Sequence, residues 1–380
     1  MANIEQIYTI VNSMAEQSLG MKGLTATNVS FVSVGNEVLS SDANKDAFYG
    51  VLLDRVGKVV FGMRAYNSVN KNLKKNTFEY GAVLQKLYVD IMDSTTNTSW
   101  KPQSEEASNP FTKSNSSVKQ KLFTKISAWE FDCTIPDTQL KTAFLSASNM
   151  AAFIECIFTA MNNSLELSFE NTANLCRASF IARKKVKNSA VTYVNLLHNY
   201  NTMTGKTLTV ANCLNDIDFL TYASEQIALC VTRMSTYSKI FNDENYARHT
   251  PKDMLNVDIL ANFETAMNMY LRSNTFHEEL LKLPNHVVIP YWQGSGQAYA
   301  FDDVSKISVQ LDSAGSEAVE VTGVVACLYD KEAIGVTIDN RRTRSIYNPK
   351  DEYTNYFGKA EMGFYNDMSE NGVVFYIAEA

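Results

Sequence analysis

No stretch of this chain is apolar for the roughly 18 residues that a membrane-spanning helix needs, and its N-terminus lacks a basic region followed by a hydrophobic one. The expectation that follows is a protein kept in the cytosol of the cell that makes it. Basic charge is also short: 34 Lys and Arg face 41 Asp and Glu, a net charge of -7. Phosphate affinity comes from clustered Lys and Arg, so a chain whose task is to grip nucleic acid is argued against, while a container for nucleic acid is not. The six cysteines (Cys133, Cys156, Cys176, Cys213, Cys230 and Cys327) form no C-x-x-C pair, which favours buried reduced thiols over zinc ligands or disulfides.

Signatures of catalysis are missing too. There is no nucleophile elbow, no H-E-x-x-H and no G-x-x-x-x-G-K phosphate cradle. The four histidines (His198, His249, His277 and His286) are not spaced as metal ligands. Gly294-Ser-Gly296 lacks the third glycine and following helix of a dinucleotide site and reads as a loop. Asp302-Asp303 and Glu105-Glu106 are adjacent carboxylates, ordinarily just solvated. Neither catalytic residues, nor a cofactor, nor a metal site is assigned.

What is present is a 380-residue chain, 45% apolar, long enough for two domains or one elaborate unit and too apolar for global disorder. Its dominant feature is a helical run from about Asn149 to Lys185. Met150, Phe153, Ile154, Ile157, Phe158, Met161 and Leu165 fall three and four apart, and Phe169, Ala173, Cys176, Phe180 and Ile181 continue the stripe. The basic end Arg183-Lys-Lys185 suits a helix C-terminus. Such a helix is a spine for the strands before and after it.

In chain order, residues 1–55 open with a short amphipathic helix, Ile4 to Met14, then a polar, turn-rich passage; they read as an arm. Residues 56–78 connect onward, from the apolar Ala47 to Met63 into a polar run, Asn67 to Asn76, whose Lys71, Lys74 and Lys75 read as a solvated turn. Residues 79–135 read as a two-stranded excursion with limbs Tyr80 to Met92 and Lys121 to Ile135 and a polar tip, Ser94 to Ser117. Limbs this apolar need another surface, which makes Tyr80, Tyr88, Trp100, Phe111 and Trp129 candidate subunit contacts. Residues 136–200 hold the spine.

Residues 201–325 read as a compact middle domain: Leu208 to Leu214 extended, Ile217 to Met234 and Val257 to Met269 helical, Asn285 to Pro290 a buried strand. Residues 326–380 return to strands at Ala326 to Tyr329, Gly335 to Ile338, Tyr353 to Tyr365 and Val373 to Ile377. Arg341, Arg342 and Arg344 are the densest basic patch, either a subunit contact or a strand edge kept from aggregating by charge. The class is α+β.

Six segments carry a family resemblance: Leu52-Leu-Asp-Arg-Val-Gly-Lys-Val-Val60, Asn72-Leu-Lys-Lys75, Leu87-Tyr-Val-Asp-Ile91, Cys133-Thr-Ile-Pro-Asp-Thr-Gln-Leu-Lys-Thr-Ala-Phe144, and Leu328-Tyr-Asp-Lys331 with Tyr347-Asn-Pro349. In this order the chain resembles tailed-phage major capsid proteins of the Hong Kong 97-type fold, in particular those of phi-29-like small podophages. The resemblance implies an N-terminal arm, an extended loop (79–135), a peripheral domain with the spine helix, an axial domain (201–325) and a return to peripheral strands.

It further implies a structural virion protein assembled in the host bacterial cytoplasm into pentamers and hexamers of an icosahedral shell. The partners would be a portal protein and double-stranded DNA bound without sequence specificity. Because the last expected strand runs almost to Ala380 and no long helical extension leads the chain, a separate scaffolding protein is expected, and neither an immunoglobulin-like module nor proteolytic maturation. Lysine–asparagine crosslinking, found in one capsid of this fold, is not demanded by Lys101 or Lys113 near the loop tip. A different class stands beside this one: a carbohydrate-binding or hydrolytic virion component using Trp100, Trp292 and the acidic pairs.

Overall fold

The structure, a computed structural model, describes residues 4–21, 28–41, 43–44, 47–48, 51, 68–75, 84–89, 91–92, 94, 111, 118–124, 126–138, 147–274, 286–293, 300–311 and 317–379. Residue contacts divide the chain into two compact units. The first comprises Met1–Ser68, Ile126–Thr172 and Val336–Gly363; the second comprises Val69–Lys125, Ala173–Gly335 and Phe364–Ala380.

The first unit begins with α1 (Ile4–Leu19) and α2 (Asn28–Leu39), which pack on each other through Val11, Met14, Ala15, Val34 and Val38. Helix α1 stops at Gly20, whose φ of 68° is the left-handed conformation of a helix C-cap, with its N–H on Glu16 O at 3.2 Å. It is longer than the expected Ile4–Met14, and α2 occupies what reads as a turn-rich passage. The stretch Asn28–Leu39 carries Val29, Phe31, Val32, Val34, Val38 and Leu39, and Val34 and Val38, one helical turn apart, are buried.

The same unit holds a three-stranded sheet in the order β10-β11-β3, of β3 (Ile126–Pro136), β10 (Ile334–Asn348) and β11 (Tyr353–Asn366). Strand β11 runs antiparallel to β3 from Tyr353 opposite Pro136 to Gly363 opposite Ile126, and buries Tyr356, Ala360 and Met362. The expected short strand Gly335–Ile338 is the start of the 15-residue β10. Where the sequence reads one limb from Lys121 to Ile135, the chain forms two strands: β2 (Val118–Phe123), which pairs with β1 (Leu84–Val89), and β3, which pairs with β11.

Helix α3 (Ala147–Lys187) matches the expected spine and supplies residues to both units. Leu165, Phe169, Ala173, Cys176, Phe180 and Ile181 are buried, as the stripe requires; the side chains from Met150 to Met161 in that stripe lie outside the described ones.

The second unit is organised on a five-stranded sheet, β4-β12-β9-β5-β6, formed by β4 (Tyr193–Asn195), β5 (Leu255–Leu260), β6 (His286–Ile289), β9 (Val324–Asp330) and β12 (Gly372–Tyr376). Strands from the end of the chain therefore complete a sheet begun in its middle. Around it lie α4 (Leu196–Thr204), α5 (Val210–Cys213), α6 (Ile217–Met234), α7 (Ala261–Asn274), α8 (Phe301–Val304) and the hairpin of β7 (Ile307–Val309) and β8 (Val319–Val321). Helix α6 has the expected bounds.

Three expectations in this region need correction. Leu208–Leu214 contains the short α5 rather than a strand. Val257–Met269 is strand β5 turning directly into α7: all six residues of β5 are buried, and a strand covered on both faces shows no alternation to separate it from a helix. Strand β6 lies at the sheet edge with His286 and Val288 exposed, so it is not fully buried.

Candidate interaction surfaces

The β1–β2 ribbon has its faces reversed relative to an ordinary amphipathic hairpin. Register places Gln85 opposite Leu122, Leu87 opposite Gln120 and Val89 opposite Val118, so these residues share one face. That face is exposed: Leu87 (62%), Val89, Val118 and Leu122 all face solvent, and beyond β1 so do Ile91 and Met92. The other face carries Lys86, Tyr88 and Lys121, and this charged side is the one held down on the unit's own surface.

The anchor is Asp367, in the turn that follows β11, whose side chain is fully buried. Its carboxylate accepts a short hydrogen bond from the Tyr88 hydroxyl, one from Lys86 at 3.2 Å and one from Lys121 at 3.2 Å. The Ser369 hydroxyl at 2.7 Å and the Ser369 N–H at 3.0 Å complete its partners. Lys86 also lies 3.7 Å from Glu370, which faces Arg248 at 3.5 Å, and Lys121 pairs with Glu244. Tyr88 stacks on Tyr246 at 5.7 Å, and the Arg248 guanidinium lies 4.4 Å from the Tyr88 ring centroid.

Burial by itself would raise the Asp367 carboxyl, but the Tyr88 hydroxyl, Lys86, Ser369 and Lys121 outweigh it and hold it down to about 2. Burial raises Glu370, with Arg248 and Lys86 only partly offsetting it. Burial and the Asp367 hydrogen bond keep Tyr88 protonated.

A second buried network fixes the unit's core. Arg177, on α3, places Nε 2.6 Å from Asp258 Oδ2 and also reaches the side-chain oxygens of Asn70 and Asn174. Asp258 further accepts from Asn72 Nδ2 at 3.1 Å and from the Tyr329 hydroxyl at 2.8 Å. One ion pair thus ties the helix, β5, β9 and the segment around Asn70 together. The basic run read as a solvated turn keeps Lys71 exposed, but Asn70 is buried, half-buried Asn72 also donates to the Tyr329 hydroxyl at 2.9 Å, and Lys75 pairs with Glu332 at 3.0 Å. Nothing local marks these polar groups, because Asp258 stands inside an apolar run and its partners are about 80 and 186 residues away in sequence.

Of the candidate contact residues, Tyr80 and Trp100 lie outside the described ones. Phe111 is 86% exposed; Tyr88 is buried in the ribbon anchor, on the face opposite the apolar one. Trp129 is half-buried on β3, and its indole N–H is buried without an acceptor. Arg341, Arg342 and Arg344 lie on β10, an edge strand; Arg342 is exposed and 3.3 Å from Glu361, and Arg344 is exposed. Tyr88 and Phe111 belong to the second unit, and Trp129, Arg342 and Arg344 to the first.

The saccharide reading has no support. Trp292 is a core residue, 2% exposed, whose indole N–H donates to Val324 O at 2.8 Å, so it offers no ring face. Cys176, Cys213 and Cys327 are buried, Cys133 and Cys230 are half-buried, and Cys176, Cys213, Cys230 and Cys327 form no disulfide. Burial pushes the Cys176 thiol up to about 12 and Cys213 and Cys230 up to about 11. Among the described residues no His, Cys, Asp and Glu group fits a metal ion, and no helix is long and apolar enough to cross a membrane.

Two kinds of likeness bear on what such surfaces serve. The chain is 30% identical over 170 residues to the major capsid protein of Bacillus phage PZA, covering 43% of this chain and 36% of that one. It is 28% identical over 166 residues to the major capsid protein of Bacillus phage GA-1, covering 43% and 34%. The matched stretch spans about a third of these relatives' length. In fold it is similar to a chain of the capsid of Staphylococcus phage Andhra, with a TM-score of 0.54 and 9% identity over 83% of this chain and 84% of the other. A chain of the cyanophage P-SCSP1u capsid gives 0.51 and 12%, over 84% and 91%. The fold is that of tailed-phage capsids, the Hong Kong 97 type. The model of the Phi29-like phage major capsid protein family matches residues 8–376, and the chain belongs to that family.

Proposed function

We propose that this chain is the structural, non-enzymatic unit of a phage head, self-assembling into an icosahedral shell around double-stranded DNA. The single observation that carries the reading is the family match over residues 8–376. The ribbon is consistent with it. A contiguous row of exposed Leu and Val on a hairpin held by ion pairs is a costly surface for an isolated molecule and a useful one in a lattice of copies.

In this reading residues 79–135 are the extended loop and overlie a neighbouring subunit's peripheral domain. Residues 1–55 form the arm, residues 136–200 and 326–380 supply the peripheral domain, and residues 201–325 form the axial domain around capsomer centres. Pentamers and hexamers close the shell, a separate scaffolding protein directs its size, and a portal protein occupies one vertex. Assembly takes place in the host bacterial cytoplasm. Many weak contacts repeated by symmetry stabilise such a shell without any one being strong. A net charge of -7 suits a container that must release its DNA.

Negative-stain electron microscopy of the chain alone, then with a candidate scaffold, tests the proposal. Closed shells or curved hexagonal sheets are expected. Small discrete particles under both conditions would overturn it.

A further inference from the structure

The stretch from Arg233, in the last turn of α6, to Asp253, just before β5, sorts its charges by sign. Its acidic side chains are occupied: Asp243 accepts from the buried Lys184 at 2.9 Å, Glu244 pairs with Lys121, and Asp253, beside Lys252, is not free either. Arg248 is taken up by Glu370 and the Tyr88 ring. Arg233, Lys239 and Lys252 remain, all exposed and without an ion-pair partner among the described residues.

Backbone bonds draw the parts of the stretch that carry these three together. Thr250 N–H, two residues before Lys252, donates to Met234 O at 2.8 Å, one residue after Arg233, and Ser238, next to Lys239, exchanges bonds of 2.9 and 3.0 Å with Arg248. Between the two junctions Tyr237, 65% exposed, packs its ring 4.4 Å from the exposed His249 imidazole. The result is a strip of unpaired cations flanking two solvent-facing rings, on a chain whose net charge is negative.

We infer that this strip is a nucleic-acid contact, gripping the phosphate backbone weakly and without sequence preference. Contacts between protein surfaces usually interleave charges of both signs, whereas a field of one sign is what a phosphate backbone recruits. Flat rings beside the cations pack on sugars and bases. Three cations on an acidic chain make a contact that forms at low salt and is lost near physiological salt, which keeps it compatible with release. The inference rests on the shell reading only for the source of the nucleic acid.

The test is fluorescence anisotropy of a labelled 30-base-pair duplex with the full unassembled chain between 50 and 200 mM salt, repeated on the triple variant Arg233→Gln, Lys239→Gln, Lys252→Gln. The expected result is binding at 50 mM that weakens at least about tenfold in the variant, with a salt slope smaller by about 0.9 per charge removed. A control that removes the same charge at Lys71, Arg344 and Lys350 should keep most of the affinity. No binding by the native chain, equal loss in the control, or polyglutamate binding as tightly as the duplex would each overturn the assignment. Shell formation by microscopy is scored separately: shells without duplex binding would sink this inference and leave the shell reading standing.

Discussion

The Tyr88 hydroxyl donates to the buried carboxylate of Asp367, and that bond joins the ribbon to a turn 279 residues later in the chain. Tyr88→Phe leaves one acceptor of a buried carboxylate without its donor. The expected loss is about 1–3 kcal/mol, read as a lower urea midpoint with an unchanged slope. A native midpoint in the variant would mean that the ribbon is held by something else.

The same carboxylate sets an acid dependence. Its folded value of about 2 lies below the ordinary 3.8, so its contribution is complete above the ordinary value and is lost as pH falls from about 3.8 to about 2. That difference corresponds to about 2 kcal/mol. Urea titrations at pH 5 and pH 2.5 should show the loss in the native chain and much less of it in Asp367→Asn. Glu370 has the opposite sign: raised when folded, it costs stability above its raised value and is relieved as pH falls toward the ordinary 4.5. Glu370→Gln is therefore expected to narrow the gap between neutral and mildly acid stability.

Arg177→Met strands Asp258 as an unpaired charge in a dry core, with an expected loss of about 3–5 kcal/mol. The double variant Arg177→Met with Asp258→Asn removes both charges and should lose less than the sum of the two single changes. A double-mutant cycle by chemical denaturation measures the coupling, and additive losses would contradict the network described above.

Leu87→Ser with Leu122→Ser changes two exposed side chains on the outer ribbon face. The unassembled chain should keep its stability within about 0.5 kcal/mol. Shell formation, followed by light scattering and microscopy, should fall sharply. Full assembly by this variant would remove the ribbon from the list of contacts.

Gly323 has a φ of 73°, and a Cβ there would lie 2.0 Å from the Ile377 carbonyl oxygen. Gly323→Ala meets both a disfavoured backbone conformation and a backbone clash, so it is expected to cost more than about 1 kcal/mol and to loosen the end of the chain beyond β12. Faster limited proteolysis after Tyr376 is the readout.

Local periodicity determined a good part of this protein. The stripe from Leu165 to Ile181, the bounds of Ile217–Met234 and the long strand from Tyr353 are all set by neighbours in sequence, because a helix or an amphipathic strand exposes one face and must repeat its pattern. The order of short segments was likewise enough for the resemblance to a capsid family. What only the tertiary structure decided is which strand pairs with which and which charges are buried. Nothing near Ile126 tells the chain to leave β1 and join β11, and nothing near Leu255 separates a strand covered on both faces from a helix. Nothing in their local sequence marks Asp367 and Asp258, which become anchors only when Tyr88, Lys86 and Arg177 arrive from distant segments. Burial is a property of the assembled fold, and a carboxylate acquires its role from partners that local sequence cannot place beside it.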